Sequence, residues 1–276
     1  MISFNNCLST LVIKQKKTES KNLIHIKFSF PNCYIFYGFM FYCLLTSFCF
    51  AKDTDWSYEG RKLPQDKWQN NPLYLGCKLG NQQSPINISP RQAQQSEATK
   101  FTTQYVMAKG VNISIEQHSF QISYPRGSIL EINNKKYQLE LIRFKTPAEN
   151  MINSNREIME AQLFHKDSNG DILIMSIFFT EGLSSSMLTT LVRNLPNEPG
   201  KAYFLSNIDV NALLPKDLSS YQFDGSLTVP PCTQGVRWIV LKQTMPVTKS
   251  HVDAMRRITK SNARNAQEIN DRLIIE

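Results

Sequence analysis

Residues 52–276 predict a mainly β fold in one domain. Apolar residues alternate with polar ones, Gly, Pro and Asn break the chain into short runs, and helical spacing is confined to two segments. Val111-Asn112-Ile113-Ser114-Ile115 alternates, as does Phe120-Gln121-Ile122-Ser123-Tyr124. Ile129 to Ile132 runs through Asn133-Asn134 into Tyr137-Gln138-Leu139, and Asn tolerates the positive φ that a tight hairpin needs. Two further strands are predicted at Glu157 to His165 and Ile172 to Phe179, on either side of the turn Lys166-Asp167-Ser168-Asn169-Gly170-Asp171. The second is apolar throughout, as suits a strand covered on both faces. Leu183 to Asn194 and Lys249 to Thr259 are the predicted helices. There is no internal repeat and no Gly-rich phosphate loop.

The formal charge is +8 over 276 residues. Five lysines against Glu19 place +4 of this in residues 1–51, so +4 remains for the other 225 residues. With no dense Lys/Arg block, that excess argues against nucleic acid and somewhat better for small anions or a polyanionic surface. Tyr34 to Ala51 is an uncharged apolar run of 18 residues preceded by lysines, the plan of a signal peptide cut after Ala51. Its length also reaches that of a membrane anchor, which is the alternative. The expected organisation is a leader at 1–51 followed by one domain at 52–276, exported to a periplasmic or extracellular space.

Cys7, Cys33, Cys43 and Cys49 lie in that leader, leaving Cys77 and Cys232 in the body. Two cysteines allow one bridge, and export would supply the oxidising compartment. Such a bridge would close a loop of about 150 residues, worth roughly 5 kcal/mol on the chain-entropy model.

Several segments, in order along some 220 residues, resemble the alpha-class carbonic anhydrase family. They are Trp56-Ser57-Tyr58 with Trp68, Gln83-Ser84-Pro85-Ile86-Asn87-Ile88, Met159-Glu160-Ala161, Tyr221 to Cys232, Val236 to Leu241, and Asn262-Ala263-Arg264 with Gln267, Asn270 and Arg272. The resemblance implies a central, twisted, mostly antiparallel sheet of about ten strands with a few short peripheral helices and a conical cavity. It also places Cys77 and Cys232 where bacterial members carry a disulfide.

In active members three histidines at the cavity floor hold zinc, which lowers the pKa of its bound water to about 7. The matching positions here are Arg143, Lys145 and Gln162. Strand geometry puts Arg143 and Lys145 on one face and Ile142 and Phe144 on the other. Neither cation offers a lone pair readily, so zinc is expected to be absent and no metal site is expected elsewhere.

The resemblance also sets Glu149 and Thr228 at the acid–threonine pair and His118 at the proton-shuttle position, but with no metal to serve His118 is expected to be a plain surface histidine. Glu160, Phe164, Ile174, Val229, Val236 and Trp238 are implied to line the cavity, with Phe164 and Ile174 narrowing it. Arg143 and Lys145 are expected to pair with Glu160 and Glu149, since unpaired buried charge is costly; any surplus would hold a small anion. The function expected is a catalytically silent, exported binding module. The alternative is an active hydratase with another metal arrangement.

Overall fold

The computed structural model describes residues 56–58, 65–97 and 100–276. The leader, its cleavage point and the anchor alternative lie outside them. No helix among the described residues is long and apolar enough to cross a membrane.

Among these residues eleven strands form one mixed sheet. In chain order its members are β2 (Phe101–Gln104), β3 (Ala108–Glu116), β4 (Ser119–Ser123), β5 (Ile129–Ile132), β6 (Lys135–Lys145), β8 (Met159–Lys166), β9 (Ile172–Glu181), β10 (Tyr203–Ile208), β11 (Ser220–Ser226), β12 (Gln234–Leu241) and β13 (Met245–Val247). The main path runs β10-β3-β4-β6-β8-β9-β12-β11, with β5 bridging β2 to β6. Pairing is antiparallel except where β12 and β13 lie parallel to β9. The architecture is the one expected, with these two parallel pairings added. A separate parallel pair joins β1 (Asn87–Ile88) to β7 (Met151–Ile152).

Local chemistry accounts for most boundaries. Asn133 and Asn134 take φ of 51° and 60° and turn β5 into β6. Gln117 and His118, at φ 48° and 59°, turn β3 into β4. Helix α1 (Gly76–Leu79) is a single turn. In α2 (Ser186–Arg193) Ser185 accepts from the Leu188 amide as N-cap, and α3 (Lys249–Thr259) covers the segment expected.

The period of two divides the sheet cleanly. On one face Ile142, Phe144, Met159, Ala161, Leu163, Leu173, Met175, Ile177, Ile239 and Leu241 form the main core, closed by Leu188 and Leu191 of α2 and Val252 and Met255 of α3. On the other face Ile174, Phe178, Val236, Trp238 and Val240 pack with Ile86, Ile88 and Ala148. Arg143, Lys145, Glu160, Gln162 and Ser176 alternate with the main-core residues and share this second face. A bulge between Leu139 and Leu141 sets the parity of the last turns of β6.

Cys77, on α1, is bonded to Cys232 across 155 residues of sequence. The close approach needs Gly76, where a Cβ would lie 2.6 Å from the Pro231 carbonyl oxygen.

His165 follows the main-core parity and is fully buried, back to back with Gln162 rather than beside it. Its Nε2 meets the Tyr105 hydroxyl at 2.8 Å and the rings stack. Burial pushes its pKa down to about 4. The group binds a proton more readily unfolded, so its contribution is present above about pH 6.5 and lost as pH falls to about 4, by roughly 3 kcal/mol. Denaturant titrations should therefore show the stability gap between the wild type and His165→Gln shrinking by that amount over this range. A constant gap would refute the assignment.

Candidate functional site

The centre of the second face is built from β6 and β8 and closed by the segment after β6. Thr146-Pro147-Ala148 leaves the sheet, and Glu149 and Asn150 are then held by the β1–β7 pair. Met151 N donates to Ile86 O at 3.0 Å and Ile86 N donates to the Asn150 side chain at 3.2 Å. The Glu149 carboxylate is thus returned over the strand it left, four residues beyond Lys145.

Lys145 is completely buried. Its Nζ lies 3.1 Å from Glu149 Oε1, donates to Tyr58 Oη at 2.6 Å and to Asn262 O at 3.3 Å, and sits 4.9 Å from the centre of the Tyr58 ring. Desolvation lowers its pKa, with Glu149 acting in the opposite sense. Burial likewise raises the Tyr58 phenol, with Glu149 adding to the rise.

Glu149 collects four donors. Besides Lys145 these are Thr228 Oγ1 at 2.7 Å, Gln162 Nε2 at 2.8 Å and the Arg264 amide at 3.0 Å. The acid–threonine contact implied by the family resemblance is therefore present as geometry.

Glu160 departs from expectation. It faces the same interior, but its partners are not cations: it accepts from the amides of Glu149 and Asn150 at 2.6 and 3.2 Å, from the Asn150 side chain at 3.1 Å, from Ser176 Oγ at 2.6 Å and from Gln162 Nε2 at 3.2 Å. Two backbone N–H groups of the returning loop reach it first, so it holds that loop in place. Burial raises its pKa, and the Glu149 charge raises it further.

Arg143 departs as well. It is half-buried; its Nε donates to Gln121 Oε1 at 2.9 Å on the neighbouring strand, and its guanidinium lies 4.9 Å from the centre of the Phe164 ring. Among the described residues no carboxylate comes within ion-pair distance of it. Desolvation lowers its pKa against weaker opposing effects of Tyr58, Glu116 and Glu149.

The remaining predicted positions separate. Ile174, Val236 and Trp238 are buried in the second core, with half-buried Phe164 against them. Val229 packs instead in an aromatic cluster with Trp56, Tyr58, Trp68, Tyr74 and Cys232. His118 is not a plain surface residue: it is half-buried at the β3–β4 turn, its Nε2 is 2.8 Å from Trp56 O, and its ring meets Trp56 edge-on at 4.8 Å. Three contributors were missed in the sequence. Tyr58 and Asn262 lie in segments quoted for their resemblance, while Gln121 had no signal beyond its parity on β4.

The fold and the Thr228–Glu149 contact define a class of β-sheet scaffold with a buried polar centre on one face. Residues 63–275 match the eukaryotic-type carbonic anhydrase family model, and the chain belongs to that family. It is 32% identical over 225 residues to the carbonic anhydrase of Neisseria gonorrhoeae, covering 81% of this chain and 88% of the relative. It is 31% identical over 244 residues to that of Pectobacterium carotovorum, covering 84% and 96%. The alpha-carbonic anhydrase of Thermovibrio ammonificans, solved with sulfanilamide, superposes with a TM-score of 0.76 at 30% identity over 80% of this chain and 98% of that one.

Membership corrects one expectation. Relatives at this identity are carbonic anhydrases, a family of zinc enzymes, so the absence of zinc does not follow and zinc is the cofactor the family implies. The side chains at the three matching positions nevertheless do not fit that ion. Arg143 and Lys145 present protons where a ligand presents a lone pair, and Gln162 turns its N–H₂ to two carboxylates. Among the described residues no three His, Cys, Asp or Glu side chains are grouped to hold a metal.

Removing one member of a buried pair strands the other, at about 3–5 kcal/mol. Lys145→Met should lose stability in that range, and adding Glu149→Gln should recover part of it, as measured by urea denaturation. Additive losses would refute the coupling.

Proposed function

We propose that this member of the carbonic anhydrase family does not hydrate carbon dioxide at its cavity floor and serves as an exported binding scaffold. The observation that carries the reading is the buried Lys145–Glu149 pair at 3.1 Å, in the place where the family's chemistry would be performed. Hydration requires neutral donors and an activated water. Here Lys145 and Gln162 turn N–H donors towards Glu149, so two of the three positions present protons where a metal needs lone pairs. A fold can outlast its site, and function then lies in what the scaffold presents. Export is supported by the charged-then-apolar leader and by the Cys77–Cys232 bond, which suits an oxidising compartment. The second reading is carbonic anhydrase activity, favoured by the family membership and by the Thr228–Glu149 hydrogen bond.

Stopped-flow measurement of carbon dioxide hydration on the purified chain, with zinc supplied, separates the two. The expected rate equals the uncatalysed background, while the variant carrying Arg143→His, Lys145→His and Gln162→His together should bind zinc. Zinc-dependent hydration by the unaltered chain would overturn the proposal.

A further inference from the structure

Arg143 and Gln162 face one another across β6 and β8, yet they do not bond. The guanidinium is drawn the other way by Gln121 and by the face of Phe164. Its Nε is used, while Nη1 and Nη2 have no hydrogen-bond partner among the described residues. Gln162 is completely buried, and both protons of its amide nitrogen are committed, to Glu149 Oε2 and Glu160 Oε1. Those two acceptors determine which way the amide faces. Its Oε1 must point away from them, and it is a buried acceptor with no partner. Unsatisfied buried acceptors are rare enough to require an explanation.

The pairing of the charges points the same way. Arg143, Lys145 and Arg264 stand with the carboxylates of Glu149, Glu160 and Glu116, and Glu116 is linked to Arg143 only through Gln121. Lys145 is paired, and Arg264 is satisfied by neutral oxygens of Gln83 and Ser84 at 2.9 and 2.7 Å. Arg143 thus has no carboxylate in direct contact among the described residues, and with Phe164 it is the partly exposed edge of an otherwise buried set.

We propose that Arg143 and Gln162 form a binding site for a small oxyanion that carries a hydroxyl group, with the chemistry of inorganic phosphate. The guanidinium donates two hydrogen bonds to the anion's oxygens, and the anion's hydroxyl donates one to Gln162 Oε1. A fully deprotonated oxyanion satisfies the first requirement and meets Gln162 with acceptor against acceptor. This inference rests on the reading that these positions bind rather than catalyse.

The test is calorimetric titration of the purified chain at neutral pH and constant ionic strength with phosphate and with sulfate, which share shape but differ in the hydroxyl. Phosphate should bind at least about tenfold more tightly than sulfate, the size of one buried acceptor satisfied or opposed. Arg143→Met, which retains an apolar side chain over Phe164, should abolish both affinities. Gln162→Leu should bring phosphate down to the sulfate level; because it also touches the buried carboxylates, its fold is checked by thermal unfolding, and the Arg143 variant decides alone if it fails. Glycerol 3-phosphate as a third titrant shows whether a free or an esterified phosphate fits better. Equal affinities, no binding of either ion, or phosphate binding unchanged in Arg143→Met would each overturn the site. Hydration measured on the same sample keeps the two proposals apart. An active chain that selects phosphate sinks the scaffold reading alone, and an inactive chain that ignores phosphate sinks this one alone.

Discussion

The Glu149 carboxylate is the contact on which the arrangement of the second face depends. It is removed from solvent, and four donors from four parts of the chain converge on it: Lys145, Gln162, Thr228 and the amide of Arg264. Moving an ion into a protein interior costs several kcal/mol, and an ion pair alone rarely offsets that. Here the additional hydrogen bonds make up the difference, and in doing so they tie β6, β8, the loop before β12 and the C-terminal segment to one point. The value of such a group lies in position, because each donor has to be in place before the charge is tolerated.

Glu160 extends the same logic by one layer. A second carboxylate beside the first would be repelled by it, and the raised pKa of Glu160 registers that together with burial. It is accommodated because two amides of the returning loop, Ser176 and Asn150 all donate to it. Gln162 lies between the carboxylates and gives one proton to each. This polar layer faces away from the main core, so its charges do not meet the aliphatic side chains that Ile142, Phe144 and Leu163 send the other way.

Family membership and local chemistry pull in different directions at this centre. The fold belongs with the carbonic anhydrases, and the chain adds the Cys77–Cys232 bond and the Thr228–Glu149 contact. The strand positions opposite that contact carry a guanidinium, an ammonium and an amide. Lys145 occupies its place as a paired and buried charge, whereas Arg143 is half-buried and bonded to neutral Gln121 beside the Phe164 ring.

Much of the fold was legible in the sequence because it depends on neighbours in the chain. Alternation located β3, β4 and β5, the turn at Lys166 to Asp171 separated β8 from the continuously apolar β9, the Asn133-Asn134 turn follows from what Asn tolerates at positive φ, and α3 matches its predicted span. The shared face of Arg143 and Lys145, with Ile142 and Phe144 opposite, follows from the period of two alone. Partners did not follow. Lys145 meets Tyr58 and Asn262 from 87 and 117 residues away, and Glu160 is claimed by the backbone of a loop rather than by a cation. His118 is drawn under Trp56, 62 residues earlier, instead of lying on the surface. Periodicity determines which way a side chain points, but which group it meets depends on how distant segments are brought together, and that is decided only when the sheet and its loops close.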